Sequence, residues 1–113
     1  MIFNPFEIVV VPFPFTDFSK TKRRPALVLS QHSDFSRKIN HSVLAMITSK
    51  KNEPWPLDVA IKHLKQSGLT APSVVRMKIF TLDHRFILRK IGLLSKTDQK
   101  LVKQSLSKLF EYL

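Results

Sequence analysis

The sequence predicts a mainly β fold, a small barrel of short strands with helical decoration and one amphipathic C-terminal α-helix. Three observations carry this. Apolar, β-branched runs recur along the chain, and prolines or polar clusters cut each one off before it reaches helical length. Only the last segment, from Ser95 onward, combines a cap with a 3.6-residue apolar period. The chain has 113 residues, one domain over 1–113 by length, and at 43% hydrophobic it has enough apolar surface for a core.

The elements follow in order. Phe6–Val11 (FEIVVV) reads as a buried strand that Pro12 and Pro14 terminate. Thr16–Arg24 (TDFSKTKRR) is polar and reads as a hairpin loop, with Ala26–Ser30 and His41–Thr48 as the second and third strands. Asn52–Pro56 (NEPWP) breaks the chain. Leu57–Ile61 (LDVAI) alternates, with Leu57, Val59 and Ile61 on one side, as a half-exposed strand does. Lys62–Ser67 reads as a helical turn closed by Gly68, and Ser73–Met77 as another short strand.

Within Ile79–Leu94 a turn is expected at Leu82-Asp83, then a further strand or short helix near Phe86–Ile91. Ser95-Lys96-Thr97-Asp98 has capping-box spacing, with aspartate where glutamate is preferred. Leu101, Val102, Leu106, Leu109, Phe110 and Leu113 then recur at helical spacing.

Composition narrows the function. There is no cysteine, which excludes disulfides, a thiolate nucleophile and a Cys-based zinc site. The longest apolar run, Phe6–Phe15, is too short to span a bilayer and lacks signal-peptide flanks, so a soluble cytoplasmic protein with no membrane role is expected. Lys+Arg 19 against Asp+Glu 8 leaves a net charge of +11. Such a surplus points to a polyanionic partner, and because the cations are spread along the chain, nucleic acid leads and an acidic protein follows. The densest cluster, Lys20, Lys22, Arg23 and Arg24, stands at the mouth of an apolar strand, where like charges repel unless an anion lies between them. The four histidines, His32, His41, His63 and His84, show no metal-ligand spacing.

VPFPFTDFSKTKRRPALVLS (Val11–Ser30) resembles the N-terminal signature of the MazF/PemK family, the ribonuclease toxins of type II toxin–antitoxin pairs. MITS (Met46–Ser49), GLTAPSVVRMKIFTLD (Gly68–Asp83) and RKIGLLS (Arg89–Ser95) follow in collinear order, so the resemblance spans nearly the whole chain. It implies an SH3-like barrel of the CcdB/MazF type and a homodimer. It also implies metal-independent, cofactor-free cleavage of single-stranded RNA, leaving a 2′,3′-cyclic phosphate and a 5′-hydroxyl. The partner it implies is an acidic antitoxin whose flexible segment lies across the active groove.

The resemblance assigns catalysis to Arg24 and Thr48. Pro25 biases Arg24 to extended backbone, and a guanidinium offers a rigid fork of donors to phosphate oxygens. Guanidinium gives up its proton so reluctantly that Arg24 suits charge stabilisation better than proton transfer. A threonine at a strand end is also ordinary β-propensity. Ser49 matches the second hydroxyl of the family's pair, and Arg76 matches a basic groove position of PemK-type relatives. With Asp17, Lys20, Lys22 and Arg23 they form the expected RNA- or antitoxin-binding set. Asp17 is equally explained as a turn cap.

Two features depart from the family pattern. Lys78 stands where some relatives carry a carboxylate, which leaves the general base unassigned, and Lys20-Thr21 stands where glycine is frequent. Phe15 and Phe18 flank the first loop and are read as core, with base stacking as the other option. Trp55 is either a rim residue or a plug beneath the loop. Two other readings stay open: a same-fold toxin that binds a protein target, as CcdB toxins do with DNA gyrase, and a general nucleic-acid-binding barrel.

Overall fold

The computed structural model describes residues 1–13 and 22–113. Strands β1 (Glu7–Phe13), β2 (Lys22–Val28), β3 (His41–Ser49), β4 (Val59–Ala60), β5 (Ser73–Asp83) and β6 (Arg89–Leu93) form one antiparallel sheet in the order β4-β5-β3-β2-β1-β6, curled into a half-barrel. A π-helical turn at His32–Ser36 runs into α1 (Arg37–Ile39), α2 (Leu64–Ser67) follows β4, and α3 (Lys96–Leu109) closes the chain. No helix among the described residues is long and apolar enough to cross a membrane.

The central strands are buried on both faces, which explains their unbroken apolar runs. On one face Ile8, Leu27, Ala45, Ile47 and Val75 pack with Leu94 and Val102 of the C-terminal segment. On the other, Val9, Val11, Ala26, Val28 and Leu44 pack with Phe3, Leu82 and Ile87. The alternation of β-strand side chains assigns neighbours such as Ile8 and Val9 to opposite cores.

Several elements differ from the sequence expectation. Pro12 does not end β1. Val10 turns its carbonyl toward β6, where it accepts from the Leu88 N–H, so Pro12, two residues on, directs its missing donor past the last β1–β6 pair, Val10–Arg89. The second strand begins at Lys22, so the cations Lys22, Arg23 and Arg24 stand on a strand paired with Phe13, Pro12 and Val11. Leu57–Ile61 shortens to two strand residues because Leu57 takes a left-handed φ of 67°. Ser73–Met77 extends to Asp83, where a 3₁₀ turn at His84–Phe86 replaces the expected turn.

Two joints set the closure of the half-barrel. Gly68 ends α2 at φ 78°, and it and Gly92 of β6 lie against each other's neighbouring backbone, so a Cβ on either would collide with the carbonyl of Ile91 or Ser67. Ser95 caps α3 by accepting from the Asp98 N–H. The fully buried Asp98 carboxylate completes no capping box. It accepts instead from the backbone N–H groups of Lys62 (3.1 and 3.2 Å) and His63 (3.1 Å), tying α3 to the start of α2.

Candidate nucleic-acid interface

Register brings the two predicted catalytic residues together. Ala26 pairs with Met46 across β2 and β3, and continuing that register by two residues sets Arg24 opposite Thr48. Both keep the parity of Ala26, Val28 and Leu44, so they extend the second core face beyond its apolar end. There a groove forms, lined by Phe13, Arg24, Met46, Ile47, Thr48, Asn52, Trp55, Arg76 and Lys78.

A bulge in β5 supplies two further cations to the groove. Ala45 pairs with Ile79 and Ile47 with Val75, so Arg76, Met77 and Lys78 stand opposite the single residue Met46. The even insertion leaves Arg76 and Lys78 on the groove face while bowing the strand, a distortion common beside functional sites. Lys78 Nζ lies 4.8 Å from the Phe13 ring centroid, a cation–π contact that holds the ammonium over the groove wall.

Arg76 is fixed by what surrounds it. The Val59–Val75 pair sets Asp58 opposite Arg76. The guanidinium donates to both Asp58 oxygens, Nε at 3.2 Å and Nη2 at 3.0 Å, and Nη2 also donates to the Glu53 carbonyl at 2.8 Å. Trp55 closes the same turn: its N–H donates to Asp58 Oδ2 at 2.9 Å, and the Arg76 guanidinium carbon sits 5.0 Å from its ring centroid. Trp55 is thus a rim residue, 44% exposed, and not a plug. Positive φ at a bulky leucine costs about 1–3 kcal/mol, so the strained Leu57 inside this turn is held by the contacts on either side of it.

The hydroxyl pair divides. Thr48 Oγ accepts from Asn52 Nδ2 at 2.6 Å, which leaves its own O–H to be donated elsewhere. Ser49 lies exposed one residue beyond, where its hydroxyl accepts from the Lys51 N–H in the turn after β3, and it does not line the groove. Arg24 is exposed, and among the described residues it joins no ion pair. Lys22 shares Arg24's face by strand alternation and Arg23 takes the opposite one; both are exposed. Asp17 and Lys20, with Phe15 and Phe18, lie outside the described residues.

Among the described residues no carboxylate or imidazole lines the groove, and its charged lining is Arg24, Arg76 and Lys78. A more apolar cleft of about 370 Å³, between Phe35, Val43, Ile79, Leu106 and Phe110, has no charged side chain to engage an anion. Sequence reading missed Asn52 and Asp58. Each acts through a partner that only a turn or a strand register reveals.

The model of the PemK-like, MazF-like toxins of type II toxin–antitoxin systems matches residues 4–110. The chain belongs to this toxin family. Among solved structures it is similar to the Mycobacterium tuberculosis toxin MazF-mt6 (21% identity, 93% of this chain and 96% of that chain covered, TM-score 0.71). It is also similar to a MazE–MazF structure from Deinococcus radiodurans (20% identity, 98% of each chain, TM-score 0.76). A third is an endoribonuclease in complex with its cognate antitoxin from a mycobacterial species (15% identity, 96% and 94% covered, TM-score 0.74). At these identities the structural likeness concerns the PemK/MazF fold. No curated protein sequence matches the chain.

Proposed function

We propose that this PemK/MazF toxin is a sequence-specific endoribonuclease that cleaves single-stranded RNA, mRNA above all, without a metal ion. The observation that carries the reading is the juxtaposition of Arg24 with Thr48 across β2 and β3, in a groove whose charged lining, among the described residues, is Arg24, Arg76 and Lys78. In the proposed reaction the ribose 2′-hydroxyl gives its proton to water as its oxygen attacks the adjacent phosphorus, and the bond to the 5′-oxygen breaks. A 2′,3′-cyclic phosphate forms on one product, and the departing 5′-oxygen takes a proton. Charge grows on the non-bridging oxygens, and donors already aimed at that position lower the barrier. Arg24 presents its donor fork to those oxygens. Thr48 adds its O–H, with Asn52 setting the direction in which that hydroxyl donates. Lys78 contributes field, and Arg76, committed to Asp58, shapes the wall.

The same groove would take the carboxylates of an acidic antitoxin, and the presence of antitoxin-bound structures among the similar folds supports that assignment. The exposed apolar side chains Leu109, Tyr112 and Leu113 at the end of α3 suit a second copy, so we assign a homodimer, to be checked by light scattering. The test of the activity is end mapping on a mixed RNA pool incubated in EDTA. The reading requires 5′-hydroxyl and cyclic-phosphate ends at a short recurring motif. Lys78 in the groove lining, where some relatives carry a carboxylate, favours a second reading, a toxin that arrests growth by binding a protein; growth arrest with intact cellular RNA would establish it.

A further inference from the structure

Trp55 has features that neither structural support nor phosphate chemistry explains. It is a large apolar ring left 44% exposed on the rim of a cationic groove, although burying it would be favourable. Its backbone is fixed at both ends of the turn, its N–H donating to Asp58 and its carbonyl accepting from the Asp58 N–H at 3.3 Å. Prolines 54 and 56 flank it and limit the freedom of the turn further. The Arg76 guanidinium approaches the ring at 5.0 Å and is itself locked by Asp58 and the Glu53 carbonyl. A ring so held is an aromatic surface ordered in advance, with little conformational entropy left to lose on binding.

We infer that Trp55 is a base-stacking platform: a nucleobase of the strand lying in the groove stacks on its exposed surface while Arg24 and Thr48 hold the neighbouring phosphate. This rests on reading the groove as an RNA site. Aromatic surfaces beside cationic tracks are how proteins hold splayed single strands, and every base offers a π-face to such a ring. The contact orients the strand, so Trp55 is assigned to binding and to choice of cleavage position, not to bond breaking. Asp58 is a positioning residue for the platform through its bonds to both Arg76 and the Trp55 backbone.

Because Trp55 is the only tryptophan in the chain, its emission reports the contact directly. The probe is a mixed-sequence RNA octamer 2′-O-methylated throughout, which has no 2′-hydroxyl to attack with and so cannot be cleaved by this route. Saturable quenching of the wild-type protein at low salt is the expected result. Read by the anisotropy of a 5′-fluorescein-labelled octamer, since neither variant retains a tryptophan, Trp55→Phe should bind within about threefold of wild type, whereas Trp55→Ala should weaken binding about five- to hundredfold, the range for loss of one stacked base. Circular dichroism checks the fold of each variant, and the wild-type titration stands without them. Binding with no quenching, no binding of the octamer, or equal affinity of Trp55→Ala would each overturn the inference. Quenching by polyglutamate but not by the octamer would overturn it too, by assigning the ring to a polypeptide partner. Quenching by the octamer with no cleavage of ordinary RNA would sink the ribonuclease reading and leave the platform standing; cleavage without quenching would do the reverse.

Discussion

Removing the carboxylate of Asp58 tests how the groove wall is held. Asp58 accepts from Arg76 Nε and Nη2 and from the Trp55 N–H, and the side chains of the ion pair are only 12% and 11% exposed. In Asp58→Ala the guanidinium keeps the Glu53 carbonyl and loses its counter-charge. Breaking a buried pair from one side costs about 3–5 kcal/mol, and hydrogen bonds to charged groups contribute about 1.5–3 kcal/mol each. The residual exposure of both partners lowers the expected loss to about 2–3 kcal/mol. For a domain of this size that corresponds to a fall of about 8–12 °C in Tm. The assay is urea denaturation of wild type, Asp58→Ala, Arg76→Met and the double variant. The pair should show a coupling energy of about 2 kcal/mol. If Asp58→Ala lost under about 0.5 kcal/mol, or the two changes simply added, the pair would not hold the wall as argued.

Three further predictions concern the frame around the site. Asp98→Ala removes the acceptor of the Lys62 and His63 amides and should lower stability by about 3 kcal/mol in urea denaturation; a loss within error of zero would contradict the role given to that carboxylate. Gly92→Ala sets a Cβ against the Ser67 carbonyl and should cost at least about 2 kcal/mol by thermal melting, with an unaltered melt as the contrary result. Burial holds the His84 imidazole below its ordinary pKa of 6.5, beside Ser42 at 2.8 Å. The unfolded chain therefore binds this proton more readily than the folded one, so stability is full above about pH 6.5 and falls as pH drops below it. His84→Gln should flatten stability between pH 7.5 and 5, and an unchanged slope would refute the assignment.

What the sequence made legible was the part governed by local period. EIVVV reads as a buried strand and is one, although Phe6 before it sits in a turn at φ 71°, and the Ser95 cap with the apolar stripe behind it predicted α3, whose Val102 is fully buried. The elements that misled break their own period. The β5 bulge interrupts the pattern at Arg76–Lys78, so the strand read as ending at Met77. The π-helical turn HSDFS has no 3.6-residue stripe to announce it, and LDVAI alternates although its leucine is in a left-handed turn. At the site, Arg24, Thr48 and Arg76 were readable through resemblance and converge on one groove. Asn52 and Asp58 were not, because a polar residue in a loop has no signature until register sets it beside a partner.

The central claim is that Arg24 steadies the charge that develops on phosphorus during cleavage. It is tested most directly by measuring, for wild type and Arg24→Ala, single-turnover cleavage of one RNA bearing the mapped motif and affinity for its uncleavable 2′-O-methyl counterpart. Removing a donor aimed at the transition state should slow cleavage about a hundredfold or more, and affinity should change by no more than about fivefold, as loss of a single phosphate contact does. Cleavage at the wild-type rate, or a loss wholly accounted for by weaker binding, would contradict the account.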